Sequence, residues 1–190
     1  MSKSKIKSLA ALGLVFAVVL SLTSCKKKEE FSFGYIENGE YINKYLGIGI
    51  FVGNNDQCMD HEALNHDDEG QPWNWTYDFS ISYENDDSIA IMYYNLSDDE
   101  IDMTIDEYAD ELASADGDIF DSKVVDRSKN KIEYLGYDAY EINLLYHSEK
   151  SDMYVKYVTF KKDSRFVVID CVSFDSDNTS EILNKIYKLK

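Results

Sequence analysis

The sequence predicts an α+β fold, with an antiparallel sheet of about six strands flanked by helices. Three observations carry that expectation. "WTYDFSISY" (75–83) alternates apolar and polar residues, the two-residue period of a half-buried strand. "MTIDEYADELASADG" (103–117) and "TSEILNKIYKL" (179–189) switch to helical spacing. The strand-like stretches follow one another with helices spaced between them, an order that suits helices packed on an antiparallel sheet.

The elements follow in chain order. "GEYINKYLGIGIFVG" (39–53) reads as two short extended segments, with Gly47 and Gly49 as bend or bulge points. In 75–83 the residues Trp75, Tyr77, Phe79, Ile81 and Tyr83 are expected on one face and Thr76, Asp78, Ser80 and Ser82 on the other. "ENDD" then turns the chain into "SIAIMYYNL" (88–96), completing a hairpin. Thr104 with Glu107 forms a capping box, Ile105, Tyr108, Ala109 and Leu112 share a helix face, and Gly117 is a natural stop. Three strands are expected around 131–147, 152–162 and 165–174. The last helix has Thr179 or Ser180 to cap it and Ile182, Leu183, Ile186 and Tyr187 as its buried stripe.

"YINKYLGIGIFV", "TIDEYADELAS", "LGYDAYEINLLY" and "RFVVIDCVSFDSDNTSEILNKIYKL" occur in an order that resembles small secreted and lipid-anchored proteins of Gram-positive bacteria in the PsbP-like superfamily. The resemblance implies an α/β/α sandwich around an antiparallel sheet of about six strands. It carries no function with it, because its motifs are apolar patterns and PsbP-like domains serve unrelated settings.

The opening 24 residues read as an export signal. Lys3, Lys5 and Lys7 precede an apolar run from Leu9 to Leu22, shorter than the roughly 20 residues that cross a bilayer. Leu22-Thr23-Ser24-Cys25 resembles the bacterial lipobox, which implies cleavage behind Ser24 and diacylation of Cys25. Two acyl chains hold a protein durably on a membrane. The predicted organisation is a lipoprotein signal peptide over 1–24, a tether over 25–38 and a single domain over 39–190. Lys26, Lys27 and Lys28 sit in the tether, where they either touch anionic headgroups or are merely solvated.

Charge narrows the partners. Residues 1–24 hold three of the 19 basic side chains and no acid, which leaves sixteen bases against 36 acids, a net charge of −20. Such a body is repelled by nucleic acid, so nucleic-acid binding is excluded from the expectations.

Candidate sites are few. "DHEALNHDDEG" (60–70) opens like H-E-x-x-H, but its histidines, His61 and His66, are five residues apart, about 140° around a helix, and cannot easily share a metal. Asn65, Asp67, Glu69 and Gly70 match the start of a calcium loop, yet its twelfth position is Thr76, so a solvated polar loop is the better reading. The acids of 98–121 are explained by the helix dipole. Tyr, present 15 times, fits a half-buried sheet better than a ligand groove. No catalytic set, metal site or cofactor motif stands out. Cys58 and Cys171 are the thiols left once Cys25 is acylated. They either bridge, with Cys58 opening a short helix, or pack as free small hydrophobes. The chain is therefore expected to be a lipid-anchored binding or scaffolding module on the extracytoplasmic face, with a protein or cell-wall partner. A surface hydrolase near His61 and His66 and a small solute-binding lipoprotein of a transporter are the alternatives.

Overall fold

In a computed structural model the described residues are 30–65, 75–97, 100, 102–114 and 123–190. Their strands are β1 (Tyr35–Glu37), β2 (Glu40–Asn43), β3 (Ile48–Phe51), β4 (Gln57–Asp60), β5 (Trp75–Ser82), β6 (Ser88–Asn95), β7 (Lys123–Tyr134), β8 (Tyr137–His147), β9 (Asp152–Lys162), β10 (Arg165–Phe174) and β11 (Ile186–Lys188). The helices are α1 (His61–Leu64), α2 (Ile105–Ser114) and α3 (Thr179–Leu183). All pairing is antiparallel, in a seven-stranded sheet of order β4-β5-β6-β10-β9-β8-β7 and a four-stranded sheet of order β1-β2-β3-β11.

The large sheet is covered on both faces. Tyr41 and Asn43 of β2 and Ile48 and Ile50 of β3 turn inward from the small sheet, and the Tyr41 ring stacks on Phe79 of β5 at 4.1 Å. On the opposite face α2 lays Tyr108 and Ala109 against Met92, Phe166, Val168, Ile142 and Leu144. Tyr108 stacks on Phe166 at 4.3 Å. Each such buried side chain contributes about 1.5–3 kcal/mol, so the two interfaces dominate the stability.

The expected α+β class holds, an antiparallel sheet with a few helices; in detail the large sheet has seven strands and a second sheet shares the cover with the helices. Several local expectations change. The tether expected over 25–38 gives way to structure earlier. Asn38 and Gly39, at φ 52° and 79°, form the tight turn between β1 and β2, conformations that Asn and Gly tolerate best. The strand expected around 131–147 is a hairpin, β7 and β8, closed by Leu135 and Gly136. The helix expected over 179–189 stops at Leu183, and the residues after it pair with β3. Neither Thr179 nor Ser180 caps α3; its cap is Asn178, with no side-chain bond to the helix, and Thr179 bonds Asp177 instead.

The helix α2 forms as expected. Thr104 Oγ1 accepts the Glu107 N–H at 3.2 Å, and the Glu107 carboxylate accepts the Thr104 N–H at 2.8 Å. Lys129 of β7 reaches Asp106 and Asp110 at 2.8 and 2.5 Å, which ties the acidic outer face of α2 to the sheet. The edge strand β7 carries Lys123, Arg127, Lys129 and Lys131, charges that discourage pairing with another chain's edge. No helix among the described residues is long and apolar enough to cross a membrane.

Candidate functional site

The described part of the histidine-rich stretch, residues 60–65, is spent on structure. Asp60 caps α1 by accepting the Ala63 N–H at 3.1 Å. The His61 ring stacks on Phe33 at 3.5 Å, and its Nδ1 lies 2.9 Å from the Tyr77 carbonyl. Asn65 donates to the carbonyls of His61 and Tyr77 and accepts the Tyr77 N–H, continuing the bonding along β5 past the end of β4. Its carbonyl oxygen is therefore engaged with backbone. His66, Asp67, Glu69 and Gly70 lie outside the described residues, as do Cys25 and Lys26 to Lys28. Among the described residues no group of three or more His, Cys, Asp or Glu is placed to hold a metal.

Cys58 and Cys171 are both free thiols. Cys58 lies in a strand, β4, and not at the start of a helix. It pairs with Ile81, Ile81 with Ile89, and Ile89 with Cys171. That places the two sulfurs in one cross-strand row, three strand spacings or about 14 Å apart. A disulfide needs Cα atoms within ~7 Å, so the sheet itself forbids the bridge considered from the sequence.

Asp78 is where β5 departs from its expected pattern. The register slips between Tyr77 and Phe79, and the extra residue, Asp78, turns inward beside Phe79 with no exposure. Trp75 and Tyr77 thereby face the α2 side, while Phe79 and Ile81 face the small sheet, so the single apolar face read from the sequence is split. One Asp78 oxygen accepts the Tyr41 and Tyr93 hydroxyls at 2.7 and 3.0 Å and Asn43 Nδ2 at 2.5 Å; the other accepts the Gly34 N–H at 2.7 Å. Gly34 permits that approach because a Cβ there would lie 2.3 Å from the Tyr41 ring. Burial pushes the Asp78 carboxyl above its ordinary range, and the four donated bonds pull it back in part. This cluster pins the small sheet to the large one.

An open cleft of about 440 Å³ lies elsewhere, lined by Phe51, Asp56, Tyr83, Asn184, Lys185 and Tyr187. Ile48 and Ile50 point into the core, so Gly49 and Phe51 present the outer face of β3. Tyr187 of β11 pairs with Gly49, and its ring crosses the bare glycine to stack on Phe51 at 4.9 Å. A Cβ on Gly49 would lie 2.4 Å from Tyr187 Cζ. Gly49→Ala is accordingly expected to swing the Tyr187 ring off Phe51 at little cost in stability, because the ring end can yield; loss of the NMR cross-peaks between the rings checks it. Burial and then the nearby Glu40 carboxylate, which pairs opposite Phe51, raise the Tyr187 phenol.

The third ring comes from the β5–β6 turn. Tyr83 donates its N–H to the Asp87 carbonyl at 2.8 Å, and its phenol is sealed from solvent without a hydrogen-bond partner among the described residues. Burial, reinforced by Asp56, Cys171 and Asp87, raises the Tyr83 phenol and keeps it neutral. Lys185, in the turn between α3 and β11, holds its ammonium 3.2 Å from the Tyr83 ring centroid. The cleft is open, and its lining combines three aromatic side chains, Phe51, Tyr83 and Tyr187, with three polar ones, Asp56, Asn184 and Lys185. Phe51 and Tyr187 are far apart in sequence and Phe51 is 63% exposed, so only the "IFV" and "KIYK" aromatics themselves hinted at it.

No family model matches the chain, and no curated protein matches it. Among solved structures, the solution structure of cyanobacterial PsbP (CyanoP) from Synechocystis sp. PCC 6803 is similar over 87% of this chain and 97% of that one, with a TM-score of 0.50 at 9% identity. The fold is PsbP-like. More remote similarity extends to a Pseudomonas aeruginosa protein described as a putative regulator, with a TM-score of 0.37 at 12% identity over 72% of this chain and 83% of that one. It extends also to LpqN, involved in cell envelope biogenesis of Mycobacterium tuberculosis, with a TM-score of 0.34 at 16% identity over 70% of this chain and 86% of that one. At such identities the likeness concerns the architecture alone, and the site of this PsbP-like domain is read from its own residues.

Proposed function

We propose that the chain is a lipid-anchored, extracytoplasmic binding module. Acyl chains on Cys25 hold it on the membrane, and the PsbP-like domain presents its aromatic cleft to a ligand or to a protein or cell-wall partner outside. The cleft carries this reading, since it joins aromatic side chains with a carboxylate, an ammonium and an amide in one concave surface. The anchor is supported by the basic start, the short apolar run and the Leu22-Thr23-Ser24-Cys25 box.

Two measurements test the proposal. Cys25→Ala should move the protein out of washed membranes; a variant that stays there at full precursor size would mean an uncleaved span. In NMR titrations with envelope-derived small molecules, binding should perturb Phe51 and Tyr187 and vanish in Phe51→Ala. Perturbations centred on His61, with turnover of the added compound, would replace the binding module with a hydrolase.

A further inference from the structure

We infer that the cleft is an aromatic cage for an organic ammonium ion, and that the chain's own Lys185 occupies it until such a ligand displaces it. The inference rests on the cleft being the binding site. Its starting point is the Lys185 ammonium, which sits 3.2 Å from the Tyr83 centroid, well inside the roughly 6 Å within which a cation is attracted to a ring face. Phe51 and Tyr187 line the same cleft as a stacked pair, which adds aromatic surface beside the Tyr83 face. Lys185 makes no ion pair among the described residues. It is held from behind only by its backbone N–H, which donates to the Ile182 carbonyl at 3.1 Å. The side chain is free to swing into water while the turn stays in place.

The surrounding charge has the sign a cation requires. Asp56 lies in the lining and Glu40 stands behind Tyr187. The chain beyond residue 24 carries a net charge of −20, a field that concentrates cations at the surface. An anionic ligand would face both carboxylates. A neutral sugar would use the rings and leave the charge unused. A trimethylammonium group is large, weakly hydrated and unable to donate hydrogen bonds, so it gains from contact with several rings where a primary amine loses hydration. The same group occurs free, as in betaine, and on a phosphocholine headgroup, and the cleft recognises the part they share.

The test is calorimetric titration of the full chain in detergent with choline chloride, against sodium chloride at equal ionic strength. Choline should bind saturably. Lys185→Ala, which empties the cage, should tighten it severalfold, and Phe51→Ala and Asp56→Asn should weaken it by about tenfold or more. Competition by glycine betaine against phosphocholine then identifies the source, the tighter competitor being the nearer to the natural ligand. Unchanged or weaker choline binding in Lys185→Ala overturns the inference. So does saturable binding of acetate or N-acetylglucosamine in place of choline, provided Phe51→Ala abolishes it, and in that case the cleft remains a binding site. If choline, acetate and N-acetylglucosamine all fail to bind, or bind equally well to Phe51→Ala, the inference and the reading of the cleft fall together.

Discussion

Asp78→Ala is expected to cost about 4 kcal/mol of folding stability, a large part of the roughly 5–15 kcal/mol a domain possesses. The wild-type carboxylate satisfies four donors, the Gly34 N–H, the Tyr41 and Tyr93 hydroxyls and Asn43 Nδ2, in a region closed to solvent. Alanine removes every acceptor at once and leaves the donors buried, at about 1–3 kcal/mol for each that finds no new partner. Asn43 is itself a link, since its oxygen accepts the Leu46 N–H at 2.6 Å and so braces the turn before β3. Asp78→Asn keeps one acceptor oxygen and should lose less. Urea unfolding of the three proteins, with hydrogen exchange of the Gly34 amide, decides the matter. A loss below ~1 kcal/mol for Asp78→Ala would mean that apolar contacts alone hold the sheets together.

The second large effect is a pH dependence that runs opposite to that of most acidic groups. Asp170 sits on the α2 face of β10, between Ala90 of β6 and Tyr157 of β9, with one oxygen sealed and without a hydrogen-bond partner among the described residues. Burial pushes its carboxyl up to about 7, against an ordinary value of 3.8. Below pH ~4 the group is protonated in both the folded and unfolded chain, and its contribution to stability is complete. As pH rises from 4 to 7 the unfolded chain releases the proton and the folded one retains it, so stability falls until the folded group ionises too. Asp170→Asn cannot ionise. It should match the wild type near pH 4 and exceed it at pH 8 by on the order of 2–4 kcal/mol. Asp78, also raised by burial, adds to the slope in the same direction and leaves part of it in the variant. Unfolding curves of both proteins at pH 4.5, 6 and 8 are the check, and parallel profiles would show that Asp170 is solvated in the native state.

The capping box and apolar stripe of α2, the hairpin of β5 and β6, and the strands β9 and β10 were readable because local rules decide them. A Thr and a Glu three residues apart cap each other wherever they lie, and a run such as "RFVVIDCVSF" has little alternative to a buried strand. The Asn38-Gly39 turn carried a local signal too, but the three-residue strand before it was too short to stand out. Likewise the short span and basic flank of residues 1–24 and the box ending at Cys25 define an export and anchoring expectation through linear chemistry alone.

What the sequence by itself determined about this protein is its acidic surface, its α+β class and the type of most of its elements, since composition and periodicity act over a few residues. The tertiary structure decided the rest. The bulge at Asp78 was hidden because both faces of the large sheet are covered, so alternating aromatics serve two cores at once and no longer mark one face. The pattern after Leu183 suits a helix or a strand equally, and the free edge of β3 made it a strand. That choice brings Tyr187 onto Gly49 beside Phe51 and sets Lys185 over Tyr83, so the cleft exists only through pairing between distant segments. The same row of strands that buries Cys171 holds it away from Cys58. Contacts between residues far apart in sequence depend on register and layer order, which no local spacing encodes.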